Sequence, residues 1–563
     1  MSFLKKHWQL FAIFLLALII RTWDLDKTPS GFHVDEAKVG WNAYSLLKTG
    51  ADDWGNKFPL HYNTFGDFRP TGIIYLTVPS IAIFGLNEFA VRFPGAIAGA
   101  LTVVVLYFFI KELLNKRDTK FNILNTSFFT ALVLALSPWH ITLSRATSEA
   151  VPAILFTLTG LWLLVLGLKK GFTPVYLSTC LLSLLASYSL YHSARLLVPL
   201  FATTVLAYVS WLDYLKNPKV SYLSHLGGGR GTTRRCLALV LCAILFLTTI
   251  LFSLSPSAHS RLNQVSIFTD LDVKYELDKM PFEDGPNNIL VARIFHNKVV
   301  TYSKHFVNEY SRYFSADFSL RPKVAKPGRY QTVGMGTLTY VELALFIFGL
   351  IYLIKKPSPL RLVLVLLLLA PLPAAITTED TPNLSRASYM IPFIAAISGY
   401  GLWKLSKTKV YRFLLFTFYF LLSLNFIYFL HMYFIHNRVG GSMSRNEGVQ
   451  DLVEVLKREY LNYDKIYLTD IPDNLYPWIA FYNKLDPKSF NHPSKNRDKG
   501  PWTYEKYNFV TARCPSRDVF NEPGKILAVD ADACEAQTPP GAEMLEHIKR
   551  PDETVVYTLW SRE

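Results

Sequence analysis

Two adjacent carboxylates, Asp35 and Glu36, open the stretch GFHVDEAKVGWNAYSLLKTG at residues 31–50. A carboxylate placed beside an acceptor hydroxyl can take its proton, and cations nearby can hold a phosphate that leaves. The chain carries both kinds of group. Single arginines, Arg145, Arg195 and Arg386, stand in the short polar segments HITLSRATSEA, YHSAR and TTEDTPNLSR. Tyr191, His192 and Arg195 together offer bidentate and single donors to a phosphate. His61, Tyr62 and Asp67 lie where they could meet a sugar, or are ordinary loop residues. Each group also has a plainer reading. Asp35 and Glu36 suit a helix N-terminus, Arg145 and Glu149 have i,i+4 spacing for an ion pair, and Arg386 follows the acids Glu379 and Asp380. Tyr and Arg at the end of an apolar run also serve as interfacial anchors. The chemistry these residues suggest is transfer from a lipid-linked sugar phosphate. That needs one base, because the leaving phosphate is stable as an anion.

The elements that would position them are mostly apolar. Of 563 residues 51% are hydrophobic and 15% aromatic, and much of this material comes in long runs with few charges, the pattern of a polytopic membrane protein. The spans expected are 8–23, 91–110, 122–138, 150–168, 174–190, 196–213, 236–254, 337–354, 361–376, 387–403 and 412–431, eleven in all. Residues 71–86 are also apolar, but counting them as a crossing would put KELLNKRDTK outside and invert every later basic loop. They are expected to form an in-plane or re-entrant helix, started by Pro70 and interrupted by Pro79. Val39, Ala43, Leu46 and Leu47 recur at helical spacing, so residues after the acid pair should lie on the membrane surface.

With that choice the net charge of +15 falls on one side. Lys5 and Lys6, Lys111 to Lys120, Lys169 and Lys170, the loop 214–235, Lys355 to Arg361 and Lys404 to Arg412 are all cytoplasmic. The charge therefore reads as topology, not nucleic-acid binding. The N-terminus is expected inside. The isolated arginines then lie outside, against the insertion bias, which invites a reason for each. The GGGRG run at 227–231 lacks a preceding strand and a GK[ST] ending, so it makes a poor phosphate cradle. Residues 255–336 should form short helices packed over the spans. Residues 432–563 read as a small outer α/β domain, with a helix in GVQDLVEVLKREY and strands in KIYLTD, YNFVTA, KILAVDA and TVVYTL. Only Cys514 and Cys534 are placed to pair.

DEAKVGWNAYSLLKTG followed by FGDFRPTGIIYLTVPSIAIFGLNEFAVRFPGAIAGALTVVVLYFFIKELL resembles the first outer loop and second span of the GT-C fold glycosyltransferases of family 39. These are relatives of the protein O-mannosyltransferases and the lipid A aminoarabinose transferase. The order matches: an acid pair, an in-plane helix, a basic residue before proline, a second in-plane helix, and a span entered by E-x-x-x-R-x-P. The resemblance implies an α-helical polytopic GT-C catalytic domain over 1–431, with catalytic acids in 24–90, and a C-terminal domain over 432–563. It implies Asp35 as the base, with Glu36 orienting the acceptor or a metal. Arg69 stands near the lipid phosphate where relatives have lysine in a KPP-like motif, although Thr71 replaces the second proline here. Glu149 falls where relatives carry a further acid of the site.

The activity implied is a plasma-membrane glycosyltransferase passing a sugar from a polyprenyl-phosphate donor to a lipid, glycan or protein acceptor at the outer face. No cofactor is required by the sequence, and a divalent metal at the acid pair is compatible with it. Alternatives are a ligase using a pyrophosphate donor, a lipid-linked sugar transporter, or a scaffold binding envelope glycans. A transporter would place acids within spans, where Glu342 is the main one.

Overall fold

The computed structural model describes residues 2–114, 120–216, 230–254, 265–285, 288–320, 328–379, 381–407, 412–471, 473–490, 500–532, 534 and 538–563. The glycines of 227–229, most of the loop 214–235 and Asp380 lie outside them. Every one of the eleven expected apolar segments carries a helix. In chain order α1 is Ser2–Thr22, α2 Val34–Thr49, α3 Gly72–Phe84, α4 Glu88–Leu113, α5 Lys120–Leu136, α6 Pro138–Arg145, α7 Ala150–Lys170, α8 Pro174–Leu190 and α9 His192–Lys216. Further apolar helices run over Arg230–Ser253, Tyr340–Lys355, Arg361–Leu369, Ile391–Ser406 and Arg412–His431. The chain is an integral membrane protein. By length and apolar character five helices among the described residues can each cross a bilayer, or six if α5 and α6, bent by 56°, make one broken span.

The 13 residues of α3 rise only about 20 Å, short of a hydrocarbon core of about 30 Å. Pro79 sits inside α3 without interrupting it. A proline there removes one ladder bond, and buried neighbours such as Ile74, Thr77 and Ile81 hold the helix in place. The largest core joins α1, α4, α5, α7, α8, α9 and Ile391–Ser406.

At one end of this bundle the acid-bearing stretch folds as α2. His33 caps it by accepting from the Asp35 amide, while the Glu36 carboxylate reaches back to the His33 amide, the reciprocal arrangement of a capping box. A hairpin of β1 (His61–Thr64) and β2 (Asp67–Pro70) follows, pairing Tyr62 with Arg69. The last apolar helix runs past 431 through a wide turn at Met432–His436 and on through Asn437–Gly440. The chain then forms the helix Val449–Glu459 and a six-stranded sheet of order β4-β5-β3-β6-β8-β7. Its strands are β3 Lys465–Thr469, β4 Trp502–Tyr504, β5 Tyr507–Val510, β6 Ile526–Ala531, β7 Glu543–Lys549 and β8 Val555–Arg562. β3 runs parallel to β5 and β6, and the other pairings are antiparallel. Cys514 and Cys534 form a disulfide.

The tail is not hung on the bundle by a linker. Trp41 and Ala43 of α2, Ile73 of α3, and Trp478, Phe509 and Leu559 of the tail belong to one apolar core. The Trp478 indole donates to the Phe32 carbonyl at 2.7 Å. Gly40 lets the surfaces meet, since a Cβ there would lie 2.6 Å from the Phe481 ring and 2.7 Å from Val91.

Candidate active site

The two adjacent acids turn away from each other. Glu36 is fully buried and accepts from Arg92 Nε at 3.2 Å, Arg445 Nη2 at 2.6 Å, the Thr147 amide at 3.0 Å and the His33 amide at 3.2 Å. Asp35 points into an open cavity with 16% of its side chain exposed, and its Oδ2 receives Arg69 Nη1 at 2.9 Å and Arg329 Nη1 at 2.5 Å. Burial alone would raise both acids, yet the adjacent guanidiniums outweigh it. Arg69 and Arg329 hold Asp35, and Arg92 and Arg445 hold Glu36, well below the usual carboxylate range. Burial, helped by Arg329, pushes His33 down to about 3, so its ring is neutral and free to cap α2.

Arg69 is aimed by the hairpin, because Asp67 takes its Nε at 3.0 Å. Arg445 links the two acids. Its Nη2 holds Glu36, its Nε donates to Ser30 O at 3.0 Å, and its Nη1 donates at 3.2 Å to the carbonyl of Arg329, the residue that grips Asp35.

The cavity has a volume of about 720 Å³. Asp35, Asp67, Arg69, Glu149, Tyr191, His192 and Arg386 all line it, so the fold brings together seven of the residues singled out from sequence. Burial raises Glu149 above the ordinary glutamate value, and Arg69 only partly offsets this. The Tyr191 hydroxyl lies 3.4 Å from Ser385 Oγ. Arg386 pairs with Glu379 and donates to Thr377 Oγ1 at 3.0 Å, so the local pair and the cavity position occur together.

Other candidates lie elsewhere. Arg145 is absent from the cavity wall, since its guanidinium caps the end of α1, donating to Ile20 O at 2.6 Å, Trp23 O at 2.7 Å and Thr28 O at 2.8 Å. Extended backbone at Ala146 ends α6 and separates Arg145 from Glu149. Arg195 and His61 also sit off the wall, 3.2 Å apart, with the guanidinium over Phe252. Tyr62 is buried behind Arg69 in the hairpin. Arg92 makes an i,i+4 contact to Glu88 at 3.5 Å and a closer bond to Glu36 at 3.2 Å.

Three cations escaped the sequence reading. Arg329 and Arg445 reach the acid pair across 294 and 409 residues, a separation that no local spacing signals. Lys38, on α2, is buried against Asp53 Oδ2 at 3.1 Å and the Tyr476 hydroxyl. As for a metal, Asp35 and Glu36 face different arginines, so they do not offer one ion a shared site. Among the described residues no group of three or more His, Cys, Asp or Glu is placed to hold one.

The family described as dolichyl-phosphate-mannose-protein mannosyltransferase matches residues 69–227. No curated protein matches the chain in sequence. Among solved structures, ArnT from Cupriavidus metallidurans bound to undecaprenyl phosphate has 12% identity and a TM-score of 0.52 over 98% of this chain and 98% of its own. Its apo state gives 0.51 at 12% identity over 98% and 97%. The archaeal oligosaccharyltransferase AglB from Archaeoglobus fulgidus gives 0.47 at 13% identity over 85% of this chain, which spans 64% of AglB's length. The fold is thus the GT-C fold of membrane glycosyltransferases. The likeness to ArnT covers nearly the whole chain, and the mannosyltransferase match falls within its helical part.

Proposed function

We propose that the chain is a membrane glycosyltransferase that takes a sugar from a polyprenyl-phosphate donor and passes it to an acceptor hydroxyl at the outer face of the plasma membrane, with inversion. One observation carries this reading: Asp35, the only one of the paired acids open to the cavity, is flanked there by Arg69 and Arg329. The family match over 69–227 and the undecaprenyl phosphate bound by ArnT support a lipid-phosphate donor.

In the reaction Asp35 accepts the acceptor's proton as its oxygen attacks the anomeric carbon. The bond from that carbon to the phosphate oxygen breaks, and the polyprenyl phosphate leaves held by Arg69, Arg329 and Arg386. Glu36 fixes the arginine frame behind Asp35. Glu149, Tyr191 and His192 face the sugar. Arg145, Arg195, His61 and Tyr62 support the walls. We propose eleven spans with the N-terminus inside, a catalytic part over 1–431, and a tail over 432–563 outside. The tail's disulfide suits an oxidising compartment.

The test is Asp35→Asn, which keeps the shape and removes the base. Transfer should fall by about 10²- to 10⁴-fold while the protein still inserts and binds donor, and near-normal turnover would refute the assignment. Lipid extracts of a deletion strain should accumulate the unused polyprenyl-phosphate sugar, which names the sugar. For topology, a cysteine placed at Asn115 should stay unreactive to an impermeant reagent in intact cells.

A further inference from the structure

Residues 265–320 form an arm beside the cavity, made of the helices Leu271–Asp284, Ile289–Phe295, Lys298–Arg312 and Ala316–Leu320. Its root is fixed. Arg312 donates to Thr381 Oγ1 at 2.9 Å and Thr381 O at 3.0 Å, the Tyr310 hydroxyl donates to Leu368 O at 2.7 Å, and the Ile267 amide donates to Ile376 O at 3.1 Å. Arg312, Asp317 and Phe318 at this root line the cavity itself.

The far end of the arm is the opposite of packed. The helix Ile289–Phe295 contains no buried residue. Phe282 is 86% exposed, Leu290 72% and Val299 75%, with Ile289, Ile294 and Phe295 also exposed. An unpartnered apolar patch of this kind needs an apolar phase. Between residues 288 and 307 the charged side chains are Arg293, Lys298 and Lys304, all basic. The arm's acids sit mainly on Leu271–Asp284, where Glu276 pairs with Lys304 and His305, Asp284 with His296, and Glu283 with Lys279. The tip therefore presents apolar side chains beside Arg293 and Lys298. The apolar helix Arg230–Ser253, which precedes the arm in the chain, also exposes Leu247, Ile250 and Leu251 towards its C-terminal end.

We infer that the tip Ile289–Phe295 seats in the outer-leaflet interface, with its apolar side chains among the acyl chains and Arg293 and Lys298 on anionic lipid headgroups. Lys298–Arg312 then connects lipid directly to the cavity wall. Resting on the glycosyltransferase reading, this places the tip beside the path by which a long-chain donor enters.

The test uses the full chain in nanodiscs, with Cys236→Ser to remove the exposed thiol and an environment-sensitive fluorophore on Leu290→Cys. Lipids carrying a nitroxide near the headgroup should quench this probe strongly and leave the same probe at Glu505→Cys in the tail unquenched. Nanodiscs containing phosphatidylglycerol should deepen the quenching, and Arg293→Glu with Lys298→Glu should abolish that gain. Val299→Cys provides a second reporter should the first variant fail to insert. Quenching at both tip positions no greater than at Glu505 overturns the inference. Separately, Leu290→Asp with Phe295→Asp should raise KM several-fold for a long-chain donor in nanodiscs, with KM for a short-chain donor unchanged. Transfer with neither donor in the unmodified protein refutes the glycosyltransferase reading, while the quenching result still decides the tip.

Discussion

Arg445→Gln tests the residue that links the two acids. Arg445 is 1% exposed and spends its guanidinium on Glu36, Ser30 O and Arg329 O. Removing one partner of a buried ion pair costs roughly 3–5 kcal/mol. Glu36 keeps Arg92, the Thr147 amide and the His33 amide, so the loss belongs near the low end, about 3 kcal/mol. Catalysis should suffer further, because the Arg329 carbonyl loses a donor and the guanidinium holding Asp35 shifts with it. The assay compares Arg445→Gln, Glu36→Gln and the double variant by thermal unfolding in nanodiscs and by transfer rate. The double variant should lose clearly less than the sum of the singles, as contacting residues couple by about 0.5–3 kcal/mol. Arg445→Lys should recover part of the stability, since an ammonium can meet Glu36 but its donors share one nitrogen and cannot span the acceptors that Nε, Nη1 and Nη2 reach separately. Strict additivity, or wild-type turnover in Arg445→Gln, would refute the claim that the tail braces the acids.

Trp478→Ala should destabilise the whole protein by about 3–5 kcal/mol and shift bundle and tail unfolding together, which pulse proteolysis of each part can read. Gly40→Ala drives a methyl into Phe481 and Val91 and should cost about 1–3 kcal/mol in the same assay. Glu36 is depressed by its arginines, so its contribution to stability is present above the unfolded value near 4.5 and lost as pH falls; an acid titration of Glu36→Gln should show a shallower loss than wild type. Reducing Cys514–Cys534, which closes a loop of 20 residues, should cost about 3 kcal/mol, seen as a lower unfolding midpoint in reductant.

The apolar runs, the short α3, the helix after the acid pair and four of the six tail strands were legible because each is a local pattern of hydrophobicity. β4 has only three residues and β7 is mostly exposed, so neither carries an alternation to read. Asp35, Arg69, Glu149 and Arg386 were legible as charged residues outside the apolar runs, and the fold gathers them. Arg145 and Arg195 carry the same signal with a different destination. The insertion bias says that an isolated buried arginine has partners, but carbonyls at the end of α1 satisfy Arg145 as well as a phosphate would. Arg329 and Arg445 lie in segments without periodicity: packing of the tail on α2 brings Arg445 to Glu36, and Arg329, from the segment before Tyr340–Lys355, reaches Asp35 with its carbonyl held by Arg445.

The arrangement around Asp35 poses a chemical problem that the proposed reaction answers. An aspartate whose oxygen is shared by two guanidiniums is a weak base, so proton transfer to it must be assisted from elsewhere. The donor is a phosphodiester with a single negative charge. Its product is a phosphomonoester, which approaches two charges near neutral pH. As the glycosidic bond breaks, the phosphate gains the charge that Asp35 loses on taking the proton. Arg69 and Arg329 can therefore pass their interaction from carboxylate to phosphate with no change in net local charge, and the depressed basicity of Asp35 is relieved as the leaving group develops. Arg329→Gln follows as a test. Raising Asp35's basicity alone would speed the step, whereas losing the cation that the phosphate needs would slow it. The exchange predicts slowing, about 1.5–3 kcal/mol in kcat/KM, or roughly 10- to 150-fold. A faster Arg329→Gln enzyme would mean that the arginines restrain Asp35 and never serve the phosphate.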